Sequence, residues 1–372
     1  MKKILFIFGT RPEAIKMAPV ITAFQESSNY ISNICITAQH REMLDQVLNF
    51  FNLNPDFDLN VMKPNQNLFD LTSTIISKLR SVLEEFCPDF VFVHGDTTTS
   101  MAASLASFYH GSKLCHVEAG LRTFNKKSPY PEEINRQLTG RLTDFHFAPT
   151  EQSKLNLLNE NIPEENILVT GNTVIDALLM SVEKIKTKPT KNILKLEEKI
   201  NNQPFILVTG HRRENHGKGF ENICKALSKI SEKKKDHLII YPVHLNPKVK
   251  LPVIKYLGNK KNILLIDPQA YEDFIWLMDK SKLIITDSGG VQEEAPSLGK
   301  PVLVMRNNTE RPEAVNAGTV ILVGTNHKKI VNETLLLLND KNKYKKMSLL
   351  HNPYGDGKAS ERILKFFNKN LL

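Results

Sequence analysis

The stretch ILFIFGTRPEAIKMAPVITAF, residues 4–24, decides the fold. Its five leading apolar residues match a strand buried on both faces, Gly9 to Glu13 turn the chain, and Ala14, Met17, Ala18, Ile21 and Phe24 then recur on one helix face. The reading is strand, loop, helix. The same rhythm returns where ISNICITA (31–38) precedes REMLDQVLNFF, where DFVFVHG (89–95) precedes TTTSMAASLASFY, and where KLCHVEAG (113–120) resembles another strand end. Short buried strands alternating with helices predict a doubly wound α/β fold, its parallel sheet wired by right-handed crossovers.

The rhythm restarts after the middle of the chain. PFILVTGHR (204–212), HLIIYPVH (237–244), NILLID (262–267), KLIITDSGG (282–290) and PVLVM (301–305) read as strands of a second α/β unit. Between the two, the lysine-rich stretch from Ser181 to Gln203 reads as a helix plus a connecting loop, with the boundary between 170 and 203. Open parallel sheets carry ligand loops at the carboxyl ends of their strands, so the expected site is the cleft where two such ends face each other.

Composition excludes several classes. The 372 residues are 41% hydrophobic and 24% charged, which is unlike a disordered chain. Apolar runs fall far short of the ~20 residues that a membrane span needs. Gly9, Thr10 and Arg11 break the first apolar run before a signal-peptide core is complete, so the start is read as part of the fold. Cys35, Cys87, Cys115 and Cys224 form no CxxC pair, which suits a reducing cytoplasm better than a zinc cage or a disulfide framework. The net charge of +9 sits in lysine runs without interleaved aromatics, so it reads as solvated surface attractive to an anionic metabolite and not as a nucleic-acid interface.

Several loop residues carry possible chemistry. GTRPEAIK lacks the three-glycine fingerprint of a nicotinamide site, while Arg11 and Lys16 offer cationic donors near a helix start. HGDTTTS (94–100) places His94 and Asp96 after a buried strand, and the plainer reading of Asp96 is a helix cap. HVEAGLRT adds Glu118 and Arg122, and SPYPEEINR adds Glu132 and Glu133 in a first helical turn, where acids also occur for dipole reasons. VTGHRREN sets His211, Arg212 and Arg213 at a strand terminus. DSGGVQEEAPSLGKP is the sharpest anion cradle, since Ser288, Gly289 and Gly290 allow backbone N–H groups to meet a phosphate. Glu293 or Glu294 further along is placed to face a ribose, and Arg311 supplies a cation.

Taken in series, GTRPEAIKMAP, QHREMLDQV, HGDTTT, HVEAGLRT, PEEINRQLTG, TGHRREN, YPVHLNP, DSGGVQEEAPSLGKPVLVMR, TERPEA and HNPYGDG resemble the non-hydrolysing UDP-N-acetylglucosamine 2-epimerases, from Gly9 to Gly357. The resemblance implies the GT-B architecture: a Rossmann-like domain over 1–170, with a C-terminal helix near 357–372 packing back on it, and a Rossmann-like UDP-binding domain over 171–356. It implies a cytoplasmic homodimer that interconverts UDP-GlcNAc and UDP-ManNAc for surface polysaccharide, with no cofactor, metal, nucleic-acid or membrane partner. By motif position it makes Asp96, Glu118, Glu132 and His211 catalytic. Arg11, Lys16, Gln269, Phe274, Ser288, Gly289, Gly290, Glu294 and Arg311 fall where the family holds UDP. Gln39, His40, Glu133, Arg212 and His244 fall near the site of a second, activating UDP-GlcNAc, with Glu42 standing where some relatives have Gln.

The implied chemistry explains the residue types. C2–H is not adjacent to a carbonyl, so expulsion of UDP from C1 must acidify it, giving 2-acetamidoglucal, after which UDP re-adds. Acid–base groups are then needed on both faces of the ring. A GT-B glycosyltransferase, an epimerase of a modified UDP-HexNAc and a nucleotide-sugar-binding regulator are the alternatives.

Overall fold

In the computed structural model, which describes residues 1–38, 41–62, 66–309 and 311–370, Ile4 to Phe8 have no exposed surface. They belong to β1 (Lys2–Phe8), an interior strand of a seven-stranded parallel sheet. Its partners are β2 (Tyr30–Ile36), β3 (Phe57–Asp58), β4 (Phe90–His94), β5 (Lys113–Val117), β6 (Phe145–Ala148) and β7 (Ile167–Val169). The order is β3-β2-β1-β4-β5-β6-β7. Strand order therefore reverses between β1 and β4, and the loops leaving those two strands flank the point where such sheets take ligands.

Met1–Ala177 and Tyr354–Leu372 form this first compact unit. The helix Ala359–Asn370 is tied to it by Asp176, whose carboxylate accepts from the backbone N–H of Ala359 at 3.2 Å and of Ser360 at 2.8 Å. Phe367 of that helix, fully buried, meets the rings of Phe24, Phe90 and Phe92 at 5.2, 5.0 and 5.3 Å.

The second unit, Leu178–Pro353, repeats the logic with six parallel strands. These are β8 (Phe205–Thr209), β9 (Leu238–Pro242), β10 (Ile263–Ile266), β11 (Leu283–Thr286), β12 (Val302–Val304) and β13 (Val320–Leu322), in the order β10-β9-β8-β11-β12-β13. Its reversal lies between β8 and β11. The core packs Phe220, Ile223, Leu227 and Ile230 of the helix Lys218–Lys233 against Ile206, Val208 and Tyr241.

The strands read from the sequence are present, and four more complete the sheets: β3, β6, β7 and β13. The lysine-rich connection also differs from the helix plus loop expected of it. It holds the end of the helix Thr173–Thr187 and then a second helix, Lys191–Ile200. Thr190 caps that second helix by accepting from Ile193 N at 3.0 Å, and Ile193, Leu196 and Ile200 form its buried stripe. No helix among the described residues is long and apolar enough to cross a membrane.

Candidate active site

The loop after β1 is fixed by a buried acid. Glu13 accepts from the backbone N–H of Gly9 at 3.1 Å and of Thr10 at 2.8 Å, and from the Thr97 hydroxyl at 2.7 Å. One carboxylate thus binds the loops on both sides of the strand-order reversal. Burial pushes its pKa up, against the pull of these donors.

Those loops present Asp96. The helix cap here is Thr97, whose hydroxyl accepts from Ser100 N at 3.1 Å, so the capping role considered for Asp96 falls to its neighbour. Asp96 instead accepts from Arg136 Nη2 at 2.5 Å, while Asn135 Nδ2 donates to its backbone carbonyl at 3.0 Å. Burial raises its pKa; Arg136 and Lys16 oppose that rise, and Glu118 and Glu132 add to it. Asp96, Glu118, Glu132, Lys16 and Arg136 therefore share one electrostatic neighbourhood.

Glu118 follows β5 in the left-handed region, with φ +63°. The chain can turn there because Gly120 follows: a Cβ on Gly120 would stand 2.2 Å from the Ser153 carbonyl oxygen. Glu118 Oε2 accepts from Lys16 Nζ and, at 2.8 Å, from Asn172 Nδ2. His94 Nε2 faces the same oxygen at 3.8 Å. The His94 imidazole is pushed down to about 4 by burial, against the attraction of Glu118.

The two adjacent glutamates of the helix Glu132–Leu142 part company. Glu133 is fully buried and its oxygens are occupied by Thr123 N and Phe124 N, each at 3.0 Å, and by Gln137 Nε2 at 2.9 Å. Burial alone would raise its pKa, but these donors outweigh it and the net shift is downward. Glu132 has a buried Oε2 with no hydrogen-bond partner among the described residues. An unpartnered buried oxygen carries a desolvation cost, so its presence asks for an explanation, of which a catalytic role is one.

In the second unit, the exits of β8 and β11 meet at Asp287, which is fully buried. Its Oδ2 accepts from the backbone N–H of His211 at 2.9 Å and of Arg212 at 2.8 Å, and the His211 ring Nδ1 lies 3.7 Å from Oδ1. The ring stacks on His244 with centroids 5.5 Å apart and planes at 13°. Partial burial lowers the His211 pKa; Asp287 counters this, and His244 and Arg212 reinforce it. The acid thus holds the backbone beneath an imidazole that stays half exposed.

Ser288, Gly289 and Gly290 start the short helix Gly289–Glu294 beside this pair, with Ser288 N donating to Thr286 Oγ1 at 2.9 Å. Of the two acids considered for a ribose, Glu293 is buried and accepts from Arg311 Nε, so it orients the expected phosphate cation. Gln269 bonds Asp267 O at 2.6 Å and Asn192 Nδ2 at 2.8 Å on the wall of a cavity of about 850 Å³. Phe274 is half-buried in the helix Tyr271–Lys280.

A sequence profile of the family described as UDP-N-acetylglucosamine 2-epimerase matches residues 22–368. The chain belongs to that family. Its epimerase relatives include the UDP-N-acetylglucosamine 2-epimerase of Salmonella typhimurium, 56% identical over 365 residues with 97% of each chain covered. That of Yersinia pestis is 57% identical over 366 residues, covering 98% of this chain and 97% of the relative. Among solved structures, the UDP-GlcNAc 2-epimerase of Neisseria meningitidis bound to UDP-GlcNAc superposes with a TM-score of 0.86 at 53% identity, covering 99% of this chain and all of that one (100%). The motif resemblance and the Rossmann-like, GT-B class of fold are thereby borne out.

Within this epimerase chain, the first unit holds Arg11, Lys16, Asp96, Glu118, Glu132 and Glu133, and the second holds Arg212, His211, His244, Gln269, Phe274, Ser288 to Gly290, Glu294 and Arg311. Gln39 and His40 lie outside the described residues. Sequence reasoning missed Arg136, Asn172 and Asp287 as supporting groups. Arg136 had a signal, its i, i+3 spacing from Glu133 on a helix. The other two are reached only through folding.

Proposed function

We propose that the chain inverts C2 of UDP-GlcNAc to give UDP-ManNAc, and the reverse, by elimination and re-addition of UDP. The C1–O bond breaks with its electron pair leaving on UDP, a carboxylate removes the C2 proton, and 2-acetamidoglucal remains. A second acid then delivers a proton to the opposite face of C2 as UDP oxygen re-adds at C1. The sequence is redox-neutral, so it asks for no hydride carrier.

The observation that carries this reading is the cluster of Asp96, Glu118 and Glu132 with Lys16 and Arg136, placed by loops at the ligand end of a doubly wound sheet. Neighbouring carboxylates influence one another's protonation, which suits a pair that must act once as base and once as acid. His211, its backbone held by Asp287, is the fourth acid–base group of the proposal. Arg11, Lys16, Arg311, the Ser288 side chain and the N–H groups of Gly289 and Gly290 are assigned to the charge that grows on departing UDP. Gln269, Phe274 and Glu294 are assigned to the nucleoside. A cytoplasmic homodimer that responds to UDP-GlcNAc as activator and feeds ManNAc-type precursors to surface polysaccharide completes the proposal, with Gln39, His40, Glu133, Arg212 and His244 assigned at or near the activator.

Pure protein incubated with UDP-GlcNAc in deuterated buffer, without nicotinamide or metal, is expected to give a UDP-GlcNAc and UDP-ManNAc mixture carrying deuterium at C2. Turnover without C2 label, or no second sugar nucleotide, overturns the reading.

A further inference from the structure

Asn172 lies two residues beyond the Thr170 that follows β7, and its side chain divides two tasks. Oδ1 accepts from Val174 N at 3.0 Å, at the start of the helix Thr173–Thr187, while Nδ2 donates to Glu118 Oε2 at 2.8 Å. The cap fixes which end of the amide faces Glu118, because only the oxygen can accept from Val174 N. The side chain is 5% exposed, so water does not compete for these bonds.

Its backbone is held as firmly. Asn172 N donates to Tyr354 O at 2.7 Å, at the point where the chain re-enters the first unit. Gly171, at φ +86°, packs against Gly355 so closely that a Cβ would stand 3.3 Å from its Cα. Arg362 Nη1 donates to Thr170 O at 2.9 Å and to Asp356 Oδ1 at 2.8 Å. Thr170 and Asn172 are thus hydrogen-bonded to the returning chain, and Gly171 between them packs against it.

Glu118 needs such an anchor. It stands in a backbone region that non-glycine residues rarely hold without support. Lys16 attracts the same oxygen, but an ammonium on a flexible stem imposes little direction.

We infer that Asn172 is a positioning residue for Glu118, aiming its carboxylate for proton transfer, and that the backbone of Tyr354 and Gly355 holds Asn172 in place. The inference rests on the proposed acid–base role of Glu118. The groups facing that carboxylate are Lys16 from the first helix, His94 from β4, Asp96 from the loop after β4 and His116 on β5.

Asn172→Asp tests it in the full-length protein. The variant keeps an oxygen for Val174 N, removes the donor to Glu118 and sets a second carboxylate beside it. With UDP-GlcNAc, kcat is expected to fall about 10- to 100-fold while KM stays within about twofold. The acid limb of the kcat profile moves to higher pH, because a like charge opposes ionisation of Glu118. Asn172→Ser, whose hydroxyl retains the cap but cannot reach Glu118, shows the same kcat loss without the added charge and serves if the aspartate variant fails to fold. Parent-like kcat and acid limb in the folded aspartate variant overturn the inference. Glu118→Gln run in parallel separates the two ideas: if it is inactive while Asn172→Asp is parent-like, only the positioning role falls, and if it is active, the role of Glu118 and the inference fall together.

Discussion

Asp287 accepts three donors through one oxygen, His211 N, Arg212 N and, at 3.3 Å, Asn215 Nδ2, and keeps the other toward the His211 ring. Asp287→Asn retains the shape and one acceptor but removes the charge that favours a protonated imidazole. The His211 ring proton, followed by NMR, should therefore titrate at lower pH than in the parent, and kcat for C2 epimerisation should fall about 100-fold. An unmoved His211 titration would show that the 3.7 Å approach carries no electrostatic weight. At this scale the sequence was informative about which residues stand at strand ends and uninformative about what holds them. Asp96 is bonded by Arg136 40 positions away, and Glu118 by Asn172 54 positions away. Local spacing left Asp96 open equally to a cap and to a cleft-facing role; the structure gives the cap bond to Thr97, since an Ncap hydroxyl one residue later meets Ser100 N.

Strands β4, β5 and β6 each carry a buried histidine: His94, His116 and His146. His116 and His146 are direct partners in the parallel ladder. Burial, the largest cause in each, pushes His94 down to about 4 and His116 and His146 to about 3. Between the ordinary histidine value of 6.5 and these values the unfolded chain binds more protons, so the folded state loses stability as pH falls through that window and keeps it above. Each histidine contributes a slope of about 1.4 kcal/mol per pH unit. His146→Leu removes one of them at a site with no exposed surface. Urea unfolding at pH 7.5 and pH 5 should show the variant losing about 2 kcal/mol less than the parent; equal losses would mean that His146 does not enter the fold neutral. The same strands show why elements were unevenly legible. FHFA of β6 interrupts its apolar run with His146, and β3, β7 and β13 have only two or three residues each, too few for a periodic signal. Their neighbours in the sheet, and not their own composition, make them strands. The helix Lys191–Ile200 was obscured in the opposite way, its three-residue buried stripe lying among lysines and glutamates.

For the whole molecule, alternation of strand and helix was enough to read two parallel sheets, because short doubly buried strands have few other architectures open to them. Which sheet a helix joins is another matter. Ile363 and Phe367 mark an apolar face on the helix Ala359–Asn370, yet such a face specifies only that it be covered. Asp176, which accepts from Ala359 N, Ser360 N and the Ser360 hydroxyl at 3.2, 2.8 and 2.6 Å, supplies the address. The first unit is thus built from both ends of the chain, and its aromatic core of Phe24, Phe90, Phe92 and Phe367 is completed only when the last helix docks. Phe367→Ala should leave a cavity costing about 3–5 kcal/mol. Hydrogen exchange read by mass spectrometry locates that loss: amides of β1, β4 and β6 should exchange faster, while those of β8 and β11, whose core contains none of these rings, keep parent protection. Uniform acceleration across both sheets would instead mean that the protein opens as a single cooperative unit, and the last helix would then be holding the entire chain together rather than one of its two parts.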